Sequence, residues 1–197
     1  MHPATKQVVS VSIHFMILFT AFNAFQTIVT KIHEDQGDRG LGPYTFAITY
    51  FVFLISNLFV SRVKYSEKWQ IVFASLTYVF NYLTGFFMEG QTPFVKYAFA
   101  TAGSVANGIG ASFLWTSIGS YIHKVCHIHN KMEQKGHYFG LFNTIFCIST
   151  VLGAIVVTFG LTLLSTKIYF VLVSGVAFFA FIYGIFFIED IKISEST

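Results

Sequence analysis

What this sequence lacks is charge inside its long apolar runs. Only 11% of its 197 residues are Asp, Glu, Lys or Arg, against roughly 25% in ordinary soluble domains. No acid, lysine or arginine falls mid-run in any stretch long enough to cross a bilayer. Ionisable residues in that position mark proton relays and ion coupling, so their absence argues against a proton-coupled transporter. Cysteine is scarce too. Cys126 and Cys147 stand alone and suggest no disulfide scaffold. No Asn-x-Ser/Thr sequon occurs, which leaves no such glycan handle. There is no Ser-His-Asp arrangement, no carboxylate pair in an apolar run and no phosphate-cradling loop, so an enzyme is disfavoured. The formal charge of +3 is spread over short connections rather than gathered in a patch, which argues against nucleic-acid binding.

What is present is hydrophobicity. The chain is 54% hydrophobic with a mean hydropathy of +0.65, a composition that needs lipid around it. Its 25 phenylalanines fit aromatic packing or a compositional bias. The apolar runs predict an all-α fold, an integral membrane six-helix bundle in one domain over 1–197. The spans fall at 8–30, 41–61, 69–88, 96–122, 138–164 and 168–188, each of bilayer-crossing length. The first is too long for a signal peptide and ends at Thr30-Lys31, so it reads as an uncleaved span. Pro43 sits near the start of the second, where proline costs least, and Trp69 opens the third as an interfacial anchor. The tail, 189–197, carries no lipidation or retention signal.

Six spans place both termini on one side. That side collects Lys6, Arg62, Lys64, Lys68, Lys124, Lys131, Lys135 and Lys192, while the other holds Lys31, Arg39, Lys96 and Lys167. The bias points both termini to the cytoplasm. The membrane itself, plasma or internal, is left open.

The stretch 100–121 organises the chain. Gly103, Ser104, Asn107, Gly108, Ala111 and Ser112 recur at helical spacing, with Gly110 and Gly119 beside them. Small residues let helix backbones approach in lipid, where hydrophobicity no longer drives association. The fourth span therefore reads as the central, protein-facing helix, and Gly140 and Gly153 are expected to pack in the fifth. In the first span Phe19, Asn23, Gln26 and Thr30 share one stripe. Such amides line a cavity or bond between helices. Asn23, Gln26, Asn107 and Trp115 are the candidate cavity- or partner-facing residues. His14 is the one titratable candidate for a relay within a span and reads as a hydrogen-bonded structural histidine. Asn81 and Tyr82 form the polar centre of the third span.

Two loops have a metal-like look. Glu34, Asp35 and Asp38 do not match a calcium loop and read as solvated. His123, Cys126, His127, His129 and His137 lie together in the basic stretch 123–137, the longest expected loop. Imidazole and thiolate suit zinc or copper, but H-x-x-C-H-x-H is not a standard finger. These are weak metal candidates, and no cofactor is expected.

Four segments carry a family resemblance. Residues 108–121, G-I-G-A-S-F-L-W-T-S-I-G-S-Y, resemble the fourth span of the Unc-93 family of ion-channel regulatory proteins. Residues 15–27, 40–50 and 138–153 resemble its first, second and fifth spans. The resemblance implies half of a major-facilitator-type fold, built as a three-plus-three inverted repeat. It also implies a regulator or companion of an ion channel, potassium channels first. A half-size transporter acting as a dimer is one alternative, and a trafficking escort of membrane receptors is another. The expected partners are the bilayer and a channel subunit or second copy. In major facilitators the loop after the second span bears a Gly-rich gating motif. Here Arg62, Lys64, Glu67 and Lys68 remain without the glycines. Without a partner, Asn23, Gln26 and Asn107 would lie on an open face.

Overall fold

The computed structural model describes residues 2–191 apart from Gln36, Arg39, Lys64 and Glu89, and the side chain of Leu161 is also left out. Of the residues used to orient the chain, Arg39, Lys64 and Lys192 lie outside the described residues. Six helices follow one another: α1 (Pro3–Asp35), α2 (Leu41–Val60), α3 (Glu67–Met88), α4 (Pro93–Ile128), α5 (Lys135–Leu163) and α6 (Thr166–Phe187). No strand occurs among the described residues. Five of the six are long and apolar enough to cross a membrane. The fourth of these runs, Met132–Gly160, includes the turn before α5. The 36-residue α4 has the length, but its glycines, serines and threonines lower its hydropathy.

Two helices run past their expected limits. α1 begins at Pro3 because Ala4, Val8 and Val11 are already buried, and it continues to Asp35 because Ile28, Val29, Ile32 and His33 are buried too. α4 continues to Ile128 because Ile122, Val125 and Cys126 extend its buried stripe at helical spacing. The expected loop at 123–137 therefore shrinks to a short connection with a 3-10 turn at Met132–Gln134. Pro93 opens α4, where its missing N–H costs nothing. Gly40 precedes α2 at φ 93°, a left-handed conformation that favours glycine.

The bundle has two central helices rather than one. α4 packs against α3 and α2, and α1 packs against α5 and α6, with α3 also against α6. Exchanging the first three helices for the last three turns α4–α3 into α1–α6 and α4–α2 into α1–α5, and leaves α3–α6 as it is. That is the pattern an inverted three-plus-three repeat produces. α2 and α5 lie at the rim and expose apolar faces, with Phe51, Leu54 and Leu58 on α2 and Val151, Phe159 and Leu163 on α5.

The two ends of the bundle are tied by polar contacts. At one end the start of α1, the α2–α3 connection, the end of α4 and the residues after α6 meet. Gln7 Nε2 donates to Glu189 at 2.7 Å, Ser66 bonds Asp190, and Tyr121 donates to the Glu189 carbonyl at 3.2 Å. Lys124 pairs with Glu67 at 2.7 Å across α4 and α3. The N-terminus and residues 187–191 thus share one end, as an even number of antiparallel passes requires. At the other end Lys96 pairs with Asp38, both only 12% exposed.

His33 sits beside that pair, past the apolar run of α1. It is buried, and neither ring nitrogen has a partner among the described residues. Burial pushes its pKa below 6.5; Asp38 raises it and Lys96 lowers it further. The folded form therefore holds the ring neutral where an opened form would take a proton. Its contribution to stability is present above about pH 6.5 and falls as pH drops below that value. Hydrogen exchange at the end of α1 is expected to show growing opening between about pH 7 and pH 5, beyond the intrinsic chemical rate. His33→Leu should flatten that dependence; an unchanged slope in the variant removes His33 as its origin.

Candidate functional site

The small residues of α4 serve two seams. A Cβ at Gly103 would lie 2.7 Å from Asn81 Oδ1, and one at Gly110 would collide with Thr77 Oγ1, both on α3. A Cβ at Gly108 would lie 2.6 Å from the Thr49 carbonyl oxygen on α2. Ala111 is buried, and Ser112 donates to the Phe53 carbonyl at 2.9 Å. On α5, a Cβ at Gly153 would meet Asn23 Cβ at 2.7 Å. Gly119 and Gly140 depart from the expectation. A Cβ at either meets nothing within 4 Å, so the close packing expected of them is not found within this chain. Gly140 is exposed and Gly119 half-buried, and no neighbouring helix lies over either.

The polar stripe of α1 is divided. Asn23 Nδ2 donates to Ser149 on α5 at 3.2 Å, so this amide bonds between helices instead of lining a cavity. Gln26 is half-buried and does not reach the central cavity. His14 is fully buried, with Nε2 3.0 Å from Ser75 Oγ on α3. Asn107 and Trp115, by contrast, both line a partly open cavity of about 270 Å³ walled by α1, α2, α3 and α4. Asn107 is only 2% exposed, so it does not lie on an open face, and its Oδ1 has no partner among the described residues.

This cavity lies near the middle of all four helices that wall it. Phe19 and Phe22 come from α1, Tyr50 and Phe53 from α2, Tyr78 from α3 and Trp115 from α4. Trp115 stacks edge-on with Phe19 at 5.4 Å between ring centroids, and Phe19 lies 5.4 Å from Phe22. Such edge contacts hold aromatic walls in place. Sequence reading found Asn107 and Trp115 but missed Phe22, Tyr50, Phe53 and Tyr78. Among so many aromatics, nothing in the spacing separates these four from rings that face lipid.

The histidine-rich stretch does not come together as a metal site. Cys126 points into the core, while His123 and His127 are exposed on the last turns of α4. His129 Nε2 is 3.0 Å from Gln7 Oε1, and His123 Nδ1 is 3.2 Å from Lys135 Nζ. Among the described residues no three His, Cys, Asp or Glu side chains converge on one point. Continuing α4 through 123–128 leaves His123 and His127 one turn apart on its exposed side and turns the neighbouring Cys126 inward.

These features define an integral membrane helix bundle without a recognisable catalytic constellation among the described residues. Residues 34–193 match the family model described as "Ion channel regulatory protein UNC-93". The chain belongs to that family. It is 31% identical over 160 residues to protein unc-93 homolog A of Bos taurus, covering 77% of this chain and 33% of that protein. It is 28% identical over 165 residues to the Mus musculus protein of the same name, covering 79% and 34%. The chain thus spans about a third of the length of the curated relatives it matches. No solved structure matches it.

Proposed function

We propose that this chain is a non-enzymatic, multi-pass regulator or companion of an ion channel, with a potassium channel as first choice and both termini in the cytoplasm. The family match over residues 34–193 carries the reading. Two further features support it. The rim helices α2 and α5 offer wide apolar faces on which another membrane helix can lie. No acid, lysine or arginine lies at the middle of a span to drive ion coupling. A channel subunit or a second copy covers these faces, and the bilayer covers what remains.

Co-expression with a panel of potassium channels tests this. The expected outcome is a change in current amplitude or gating for at least one channel, together with co-purification of that channel. Unchanged currents and no co-purification across the panel would overturn the reading. The midplane cavity favours a second reading, a half-size carrier that acts as a dimer. Saturable solute flux in liposomes containing the purified chain alone would select it.

A further inference from the structure

A groove runs along the outside of α3 and α4, in the half of the bundle nearest the chain termini. Trp69, Phe73 and Ala74 line it from α3, and Ile109, Gly110 and Phe113 from α4, around a space of about 640 Å³. Ala74 and Gly110 are small and buried, so they form its floor. Trp69 and Phe73 stack at 5.5 Å between ring centroids and make one flat wall. Both rings stay exposed, at 39% and 56%, so in a bilayer the groove opens onto lipid.

Length limits what can fill it. From Trp69 to Thr77 the groove follows α3 for about 12 Å at 1.5 Å per residue, and Thr77 lies at the middle of that helix. It therefore spans roughly one leaflet of a hydrocarbon core about 30 Å thick. A partner's transmembrane helix crosses both leaflets, whereas a lipid occupies one. Charge limits the occupant further. No Asp, Glu, Lys, Arg or His lines the groove. Two cations beside its outer end are already engaged. Lys124 pairs with Glu67 at 2.7 Å, and Lys68 donates to the Ile185 carbonyl at 3.0 Å while lying over the Trp69 ring. A phosphate head group would compete with these contacts, and a neutral head would not. Polarity gathers only at that outer end, where Tyr65 and Gln70 line both this groove and a polar pocket beyond it. The volume is roughly four times the apolar cavity of about 150 Å³ that holds benzene, which is room for a four-ring body.

The sequence at that end agrees. Val63-Lys64-Tyr65-Ser66-Glu67-Lys68 fits the pattern proposed for sterol contact, a Leu or Val, then a Tyr, then a Lys or Arg, and Tyr65 is the only tyrosine in the chain so flanked. The pattern alone is short and unspecific; here its tyrosine stands at the polar end of a groove one leaflet long. We propose that this groove binds a sterol, with the fused rings against the Trp69 and Phe73 wall and the hydroxyl at the Tyr65 and Gln70 end. This goes beyond the channel-regulator reading and stands independently of it, since it needs only the purified chain.

The purified full chain, in phosphatidylcholine nanodiscs, is irradiated with a cholesterol analogue carrying a diazirine on its ring system, and adducts are located by peptide mass spectrometry. The expected adducts lie within 65–77 and 109–113. A roughly tenfold excess of unlabelled cholesterol should lower them about tenfold, as mass action at one filled site requires. Adducts on the exposed rim residues Val151 and Phe159 report sterol diffusing in the bilayer and should not be displaced. Ile109→Trp, at a position 40% exposed, fills the groove and should lower its adducts several-fold while leaving those on the rim. The displacement measurement uses the parent chain alone, so it decides the matter whether or not the variant folds. Groove adducts that cholesterol displaces no more than rim adducts overturn the proposal. So does a groove left unlabelled while the rim is labelled. A diazirine phospholipid that labels the groove and is not displaced by cholesterol also overturns it, and assigns the groove to an acyl chain.

Discussion

Gly108→Leu is expected to prevent α2 from docking on α4. A Cβ at this position would already lie 2.6 Å from the Thr49 carbonyl oxygen and 2.8 Å from Val52 Cβ. The first of these is backbone, so no side-chain rotation relieves the clash. The helices must separate, and Ser112 then loses its 2.9 Å bond to the Phe53 carbonyl. Thr49 Oγ1, 3.4 Å from the Ser104 carbonyl, moves away as well. Overpacking of this kind costs about 1–3 kcal/mol before lost bonds are counted. The substitution should reduce the yield of monodisperse protein several-fold, measured by size-exclusion chromatography of a fluorescent fusion. Gly119→Leu is the matched control, because a Cβ there meets nothing within 4 Å. Equal yields for the two variants would show that the α2–α4 seam does not need glycine at 108.

The second large effect is expected at the opposite end of the bundle from the chain termini. Lys96, near the start of α4, pairs with Asp38 in the α1–α2 connection, and each side chain is only 12% exposed. A pair this enclosed is strongly destabilised when one member is removed, because the other charge remains buried alone. Asp38→Asn should lower stability by about 3 kcal/mol, and Lys96→Met by a similar amount. The double change should recover much of the loss, since it leaves no stranded charge. Thermal unfolding of the four proteins in one detergent measures this coupling. Strictly additive losses in the double variant would mean that the two charges do not depend on each other. His33 adjoins the same contact, so the single variants should also alter the pH dependence of opening at the end of α1.

A single helix seen in sequence shows which residues share a face, but not which neighbour that face will meet. On α1, Phe19 and Asn23 are one turn apart and read as one stripe. The bundle divides them, with Phe19 at the chamber and Asn23 bonded to Ser149 on α5. On α4, the small residues read as one packing surface. They serve two, with Gly103 and Gly110 toward α3 and Gly108 toward α2. Gly119 and Gly140 have the same chemistry and no neighbour. Glycine signals that close approach is allowed, and whether anything approaches depends on a second helix.

Much was nonetheless legible in the residues themselves. Low charge and long apolar runs determined a membrane bundle of helices, because only helices satisfy their own backbone in lipid across such runs. Segments such as 108–121 determined the family. The small-residue run determined that α4 would be tightly packed, and Asn107 and Trp115 stood out as polar or amphipathic side chains in an apolar span. Tertiary structure alone decided the rotation of each helix about its axis. It thereby decided that α1 shares the centre with α4, that Asn23 bonds across helices while Asn107 Oδ1 has no partner among the described residues, and that four further aromatics join Trp115 beside it. The physical reason is that the apolar periodicity here is weak on every side of these helices. In lipid both faces can be apolar, so sequence specifies how long a helix is and what it carries, and only packing against its neighbours specifies which way it turns.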